Sequence, residues 1–140
     1  MASTADTASN FAPQTRGHAF GALVWTCQIL LAIAFLAHGL MMLFPPPDIA
    51  VQMNAFLPRW FQVFLGVTEV LATIGLTVPP LVRRERWLIA WAGGGIIIVM
   101  VSATILHLAR SEFSSAFITF VLLCMATLVA KVRRRDYPRP

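Results

Sequence analysis

Four apolar runs, residues 21–44, 60–78, 87–109 and about 114–130, dominate this chain of 140 residues. At a rise of about 1.5 Å per residue, the first three match or approach the ~30 Å hydrocarbon core of a bilayer. The fourth is at the short limit of a span and relies on Lys131 snorkelling to the interface. Only 12% of the residues are charged and the mean hydropathy is +0.74, whereas a soluble domain carries about 25% charged residues. A spanning segment must satisfy its own backbone hydrogen bonds, and these runs lack the alternation of barrel strands. The expected fold class is all-α: an integral membrane four-helix bundle over residues 20–132, with no second domain.

Arginine and lysine set the expected orientation. With the N-terminus inside, the cytoplasmic parts hold Arg16, Arg83, Arg84, Arg86, Lys131, Arg133, Arg134, Arg135 and Arg139, and the outer loops hold Arg59 and Arg110. Nine against two is a positive-inside asymmetry that predicts both termini in the cytoplasm. The net charge of +5 then reflects topology. The cationic residues 131–135 are expected at anionic lipid headgroups, and residues 133–140 form a basic tail. No domain presents that cluster to nucleic acid, so no nucleic-acid partner is expected. Residues 1–19, rich in Ala, Ser and Thr, read as a disordered tail. They lack the basic opening of a signal peptide and the arginines of a mitochondrial presequence. The expected location is the cell inner membrane, with the lipid bilayer as first partner.

Between the first two spans, Pro45, Pro46 and Pro47 stop the first helix, because proline cannot continue it. The mixed stretch that follows predicts a short helix on the outer interface, closed by Pro58. Pro79 and Pro80 are expected to end the second span before a tight turn at 83–86. In the third span, Gly93, Gly94 and Gly95, with Ala90 four residues before Gly94, predict a face for close helix packing. The loop 110–113 is short enough to make the last two spans antiparallel neighbours. Trp25, Trp60 and Trp87 read as interfacial anchors.

Glu69 is the only acidic residue inside the four runs. A carboxylate at bilayer depth costs roughly 2.5–3.5 kcal/mol on insertion scales, so it usually faces a partner or a cavity. Two histidines share the spans with it, His38 in the first and His107 in the third. Counted from the outer helix ends, His107 lies about 5 Å deep, His38 about 9 Å and Glu69 about 14 Å. Helical spacing surrounds each with small or adaptable residues: Gly66 and Thr73; Met100, Ala103 and Thr104; Ala34, Met41 and Met42. These three residues are the candidate catalytic or ligand-binding set, a proton-transfer couple opening toward the outer face. The plainer reading is a Glu–His pair that stitches the bundle, since measured intramembrane hydrogen bonds average ~0.6 kcal/mol. Other chemistries fit less well. His38, Met41 and Met42 have a spacing that suits Cu(I), but bundle methionines are commonly gap-fillers, and no metal site is expected. His38 and His107 have the outline of a haem ligand pair, an arrangement common by chance. Cys27 and Cys124 are expected as small buried apolar residues, with a redox pair as the alternative.

The pattern Phe35-Leu-Ala-His-Gly39, Leu57-Pro58, Gly66-Val-Thr-Glu69-Val-Leu-Ala-Thr-Ile-Gly75 with Pro79, and 103–107 at the end of the third span resembles the DoxX-like family of small membrane proteins. The resemblance covers about residues 25–132. It implies a four-helix membrane bundle and a redox neighbourhood, because the family's namesakes resemble subunits of a thiosulfate:quinone oxidoreductase. Family members typically carry a lysine three residues after the helix 1 glycine; here that position is Met42. Glu69 thereby loses one candidate partner, and His38, one turn earlier, is the candidate replacement.

Three functions follow as expectations. The first is an accessory subunit in quinone-linked redox chemistry. With no nucleotide, flavin or CxxC motif in the chain, electrons must come from a redox partner protein, and a quinone is the cofactor reached through it. The second is a membrane enzyme or binder for a small apolar molecule, with Glu69 as general acid and base. Similar four-helix bundles hold sterol-like ligands and isomerise them with Glu and His. The third is a structural subunit without a ligand, for which a homo-oligomer is one form.

Overall fold

The computed structural model describes residues 17–138. It contains α1 (His18–Leu43), α2 (Pro47–Phe56), α3 (Arg59–Val82), α4 (Leu88–Ala109) and α5 (Phe113–Asp136). The protein is all-α, and α1, α3, α4 and α5 are each long and apolar enough to cross a membrane. Of the expected tail 1–19, residues 1–16 lie outside the described residues, and His18 and Ala19 already belong to α1.

The four long helices form a closed ring in which α1 packs on α3, α3 on α4, α4 on α5, and α5 back on α1. Val24, Leu31, Phe35, Leu76, Ile89, Ile96, Ala126 and Val129 fill the axis. Large apolar side chains such as Ile33, Leu71, Ile98 and Phe117 point outward. A helix apolar on all sides belongs in lipid, where its outer face needs no polar coat. Cys27 is buried and Cys124 exposed, both as free thiols. The expectation that both are buried therefore fails for Cys124, which sits on the outward face of α5.

Close approach occurs at three small-residue crossings. A Cβ on Gly66 would lie 2.7 Å from Leu43 Cγ and 2.9 Å from Gly39 O, so α1 and α3 nearly touch there. Gly75 lies against Ala92, and Gly93 against Ala130. Of the expected packing face at Gly93, Gly94 and Gly95 with Ala90, only the first glycine packs closely. Gly93 makes the contact, while a Cβ on Gly94 or Gly95 would meet nothing within 4 Å.

Prolines do not end the second span as expected. Pro79 and Pro80 lie inside α3, which runs on to Val82 and stops at Arg83 in the left-handed region, φ 54°. A proline in the last turn needs only an acceptor group four residues back to be satisfied otherwise. Pro80 leaves Leu76 O without its helical donor, and Gln28 Nε2 of α1 supplies one at 2.7 Å. The same amide accepts from Arg133 Nε through Oε1 at 2.8 Å. Arg133 is only 5% exposed and also lies over the Trp25 ring, 4.5 Å from its centroid. It was expected among the headgroup-facing cations. Instead α5 continues through Asp136 and turns Arg133 into the bundle.

At the opposite end, Pro45 stops α1 and leaves its last carbonyls open. Arg59, on the first turn of α3, donates to Met42 O at 2.8 Å and Leu43 O at 2.6 Å. Pro47 at the first position and Asp48 in the first turn favour the start of α2, the short helix expected between the first two spans. Gln62, fully buried, ties that helix down by donating to Asn54 Oδ1 at 2.9 Å and Leu57 O at 2.8 Å.

Candidate functional site

Glu69 is held by the α1–α3 crossing. Gly66 sits one turn before it, and a Cβ on Gly39 would lie 3.1 Å from both Glu69 Cβ and Gly66 O. Thr73, one turn after it, donates its hydroxyl to Glu69 O at 3.1 Å and lies 3.3 Å from Ala32 O of α1. Closely apposed backbones thus fix the carboxylate between two helices. Its side chain is 2% exposed, and Oε2 lies 2.7 Å from His38 Nδ1, with one proton held between the two atoms. The His38 ring is 45% exposed. The pair therefore joins a sealed acid to an imidazole that reaches open space, which is the arrangement a proton relay requires.

Both residues line a cavity of about 510 Å3 in the half of the bundle capped by α2. Its wall is mostly apolar, with Phe35, Met42, Leu65, Met100, Leu106 and Leu122 among its lining, and Met53, Phe56 and Leu57 forming the α2 side. His107, Arg110 and Glu112 line it from the α4–α5 turn. Thr104 donates to Thr119 Oγ1 at 2.9 Å, joining α4 to α5 beside the cavity. The three residues singled out in the sequence, Glu69, His38 and His107, thus border one space, but their pairing differs from a single cluster. His38 is the partner of Glu69, whereas His107 Nδ1 lies 2.6 Å from Glu112 Oε2. Arg110 Nε donates to Glu112 Oε1 at 2.7 Å, and its guanidinium lies 4.1 Å from the Phe56 ring centroid. His107 first, and Arg110 second, hold the Glu112 carboxyl below the usual carboxylate range.

The sequence does not single out Glu112, because the loop 110–113 falls between spans. Its signal was present: an acid two residues after Arg110 and five after His107, at the end of a helix. Gln28 and Gln62 are buried as well, and a lone amide in an apolar run is itself a sign of a buried hydrogen bond. Met42, where the resemblance implies a lysine, is buried in the cavity wall, and Glu69 pairs with His38 one turn earlier.

No curated protein and no solved structure matches the chain. A family model does, over residues 26–129, nearly the whole of the four-helix ring. The chain belongs to the DoxX-like family.

Proposed function

We propose that this DoxX-like membrane protein is an accessory subunit of quinone-linked redox chemistry and that its cavity receives the quinone head. One observation carries the reading: a buried carboxylate, Glu69, hydrogen-bonded to a half-open imidazole at the wall of an apolar cavity. Small-molecule sites are commonly about 300–1,000 Å3, apolar, with a few placed polar groups. A quinone carbonyl accepts a hydrogen bond, and its reduction to quinol takes up a proton for each electron. The Glu69–His38 pair supplies protons, and a membrane-bound redox partner protein supplies electrons. His107 and Glu112 exchange protons at the mouth. The proposed setting is the inner membrane with both chain ends in the cytoplasm, supported by the nine-to-two division of Arg and Lys.

A second reading is favoured by the presence of two imidazole–carboxylate pairs on one cavity. One pair as general base and the other as general acid would suit proton transfer within a small apolar molecule, without electrons.

A short-chain quinone analogue titrated into the purified protein tests the first reading. Binding should weaken about tenfold in Glu69→Gln, the scale of one hydrogen bond to a charged group. The melting temperature should stay near that of the wild type. Extraction of the untreated protein should also yield quinone by mass spectrometry. Absence of binding in the wild type sinks the quinone reading, and a Glu69→Gln chain that fails to assemble shows the pair to be a structural stitch. Turnover of a bound apolar molecule without an electron donor favours the second reading.

A further inference from the structure

We propose that the end of the bundle opposite the Glu69 cavity carries a specific site for one anionic phospholipid, in the groove between the start of α4 and the end of α5. That groove has a volume of about 540 Å3 and is lined by Trp87, Ala90, Trp91, Gly94, Arg134 and Tyr137. Its lower part is open because of sequence: a Cβ on Gly94 would meet nothing within 4 Å. From Trp87 to Gly94 the groove descends about 10 Å along α4, enough for the upper part of an acyl chain.

Arg134 supplies the charge. Its neighbour Arg133 turns inward to Gln28, whereas Arg134 is exposed and its side chain makes no hydrogen bond or ion pair among the described residues. Trp87, Trp91 and Tyr137 are the residue types that settle at headgroup depth, with an apolar body and a polar edge. Around them, among the described residues, this end holds seven cations (Arg83, Arg84, Arg86, Lys131, Arg133, Arg134 and Arg135) against two carboxylates, Glu85 and Asp136. Glu85 accepts from Trp87 Nε1 and Asp136 lies 4.0 Å from Arg133, so each carboxylate already has a partner, and neither lines the groove. Charge complementarity therefore selects a headgroup of net negative charge, and the apolar channel below selects one still attached to its acyl chains.

Bromine-labelled lipids test this in nanodiscs of the full chain carrying Trp25→Phe and Trp60→Phe, which leaves Trp87 and Trp91 as reporters. In a phosphatidylcholine bilayer, brominated phosphatidylglycerol as a minority lipid should quench more strongly than brominated phosphatidylcholine at the same fraction. Arg134→Gln should lower the apparent preference about fivefold, the scale of one cation at a membrane surface. Gly94→Leu, which fills the channel, should reduce quenching by either lipid. Equal quenching by the two lipids in the parent chain overturns the site, as does a preference unaffected by Arg134→Gln. Inorganic phosphate that abolishes the preference at constant ionic strength overturns the lipid assignment in favour of a free-anion site. Should Gly94→Leu not insert, Arg134→Gln alone decides the outcome.

Discussion

Glu112 sits outside the spanning helices, where His107 and then Arg110 hold its carboxyl below the usual carboxylate range. Its folded value is the lower one, so its contribution to stability is present above the ordinary carboxylate value. That contribution is lost as pH falls through the folded value. The α4–α5 turn should therefore loosen on acidification, and Arg110 should release the Phe56 ring of α2. Melting curves of wild type and Glu112→Gln between neutral and acid pH should converge at the acid end, with the wild type losing more. Curves that stay parallel count against the contact. The shift should shrink at high salt, because the group is part-exposed and screened. Residues of this kind divide sharply in how readable they are from sequence. Glu69 is conspicuous because an acid in an apolar run has no routine reason to be there. Glu112 lies in a charged turn where acids are ordinary, and its importance comes from the cavity that the fold places beside it.

Two elements, α1 and α3, meet through backbone at Gly39 and Gly66, and the cavity pair depends on that contact. A methyl group on Gly66 would stand 2.9 Å from Gly39 O, which is backbone and has no rotamer to yield. Gly66→Ala should force the helices apart at a cost of about 1–3 kcal/mol and weaken ligand binding through the displaced Glu69. Gly94→Ala, in open space, should stay within about 0.5 kcal/mol of wild type. Thermal unfolding of the two variants side by side checks the contrast, and equal losses would reject it. At the other end of the same helix pair, Gln28 serves both Leu76 O and Arg133 Nε. Gln28→Leu should cost about 2–3 kcal/mol by stranding a buried carbonyl and removing one hydrogen-bond partner of a buried cation, and adding Arg133→Met should recover part of it. A recovery of nothing would mean that the bridge is incidental. Helix positions and the α4–α5 turn were legible from apolar run length and loop shortness. The continuation of α3 through Pro79 and Pro80 was not, because the compensating donor lies on another helix, 48 positions from the carbonyl it serves. Which glycine packs was also beyond reach: three successive glycines point in different directions, and only the packed ring selects Gly93.

At the scale of the whole molecule, the ring has two chemically unlike ends. One holds the cavity, α2 and the Arg59 cap; the other holds the Arg133 bridge and most of the cations. Four crossings place the start of α1 and the end of α5 at the same end, and the Trp25–Arg133 contact joins them there. That end should face the cytoplasm, because moving its arginines across the membrane is disfavoured, while among the described residues the cavity end carries only Arg59 and Arg110 as Arg or Lys. The consequence for function is directional: the Glu69 cavity would exchange protons with the outer side, and the groove lined by Arg134 would meet the inner leaflet. Reporter fusions decide it. A fluorescent protein at either terminus should fluoresce, and a phosphatase that folds only outside the cytoplasm should be active when joined after α2 and inactive when joined after α5. Replacing Arg83, Arg84, Arg86, Arg134 and Arg135 with Gln should erode this bias and yield molecules of both orientations, while the same change at Arg59 and Arg110 should leave orientation intact. Phosphatase activity at the chain ends of the unaltered protein would invert the assignment and place the proton-handling cavity on the cytoplasmic side.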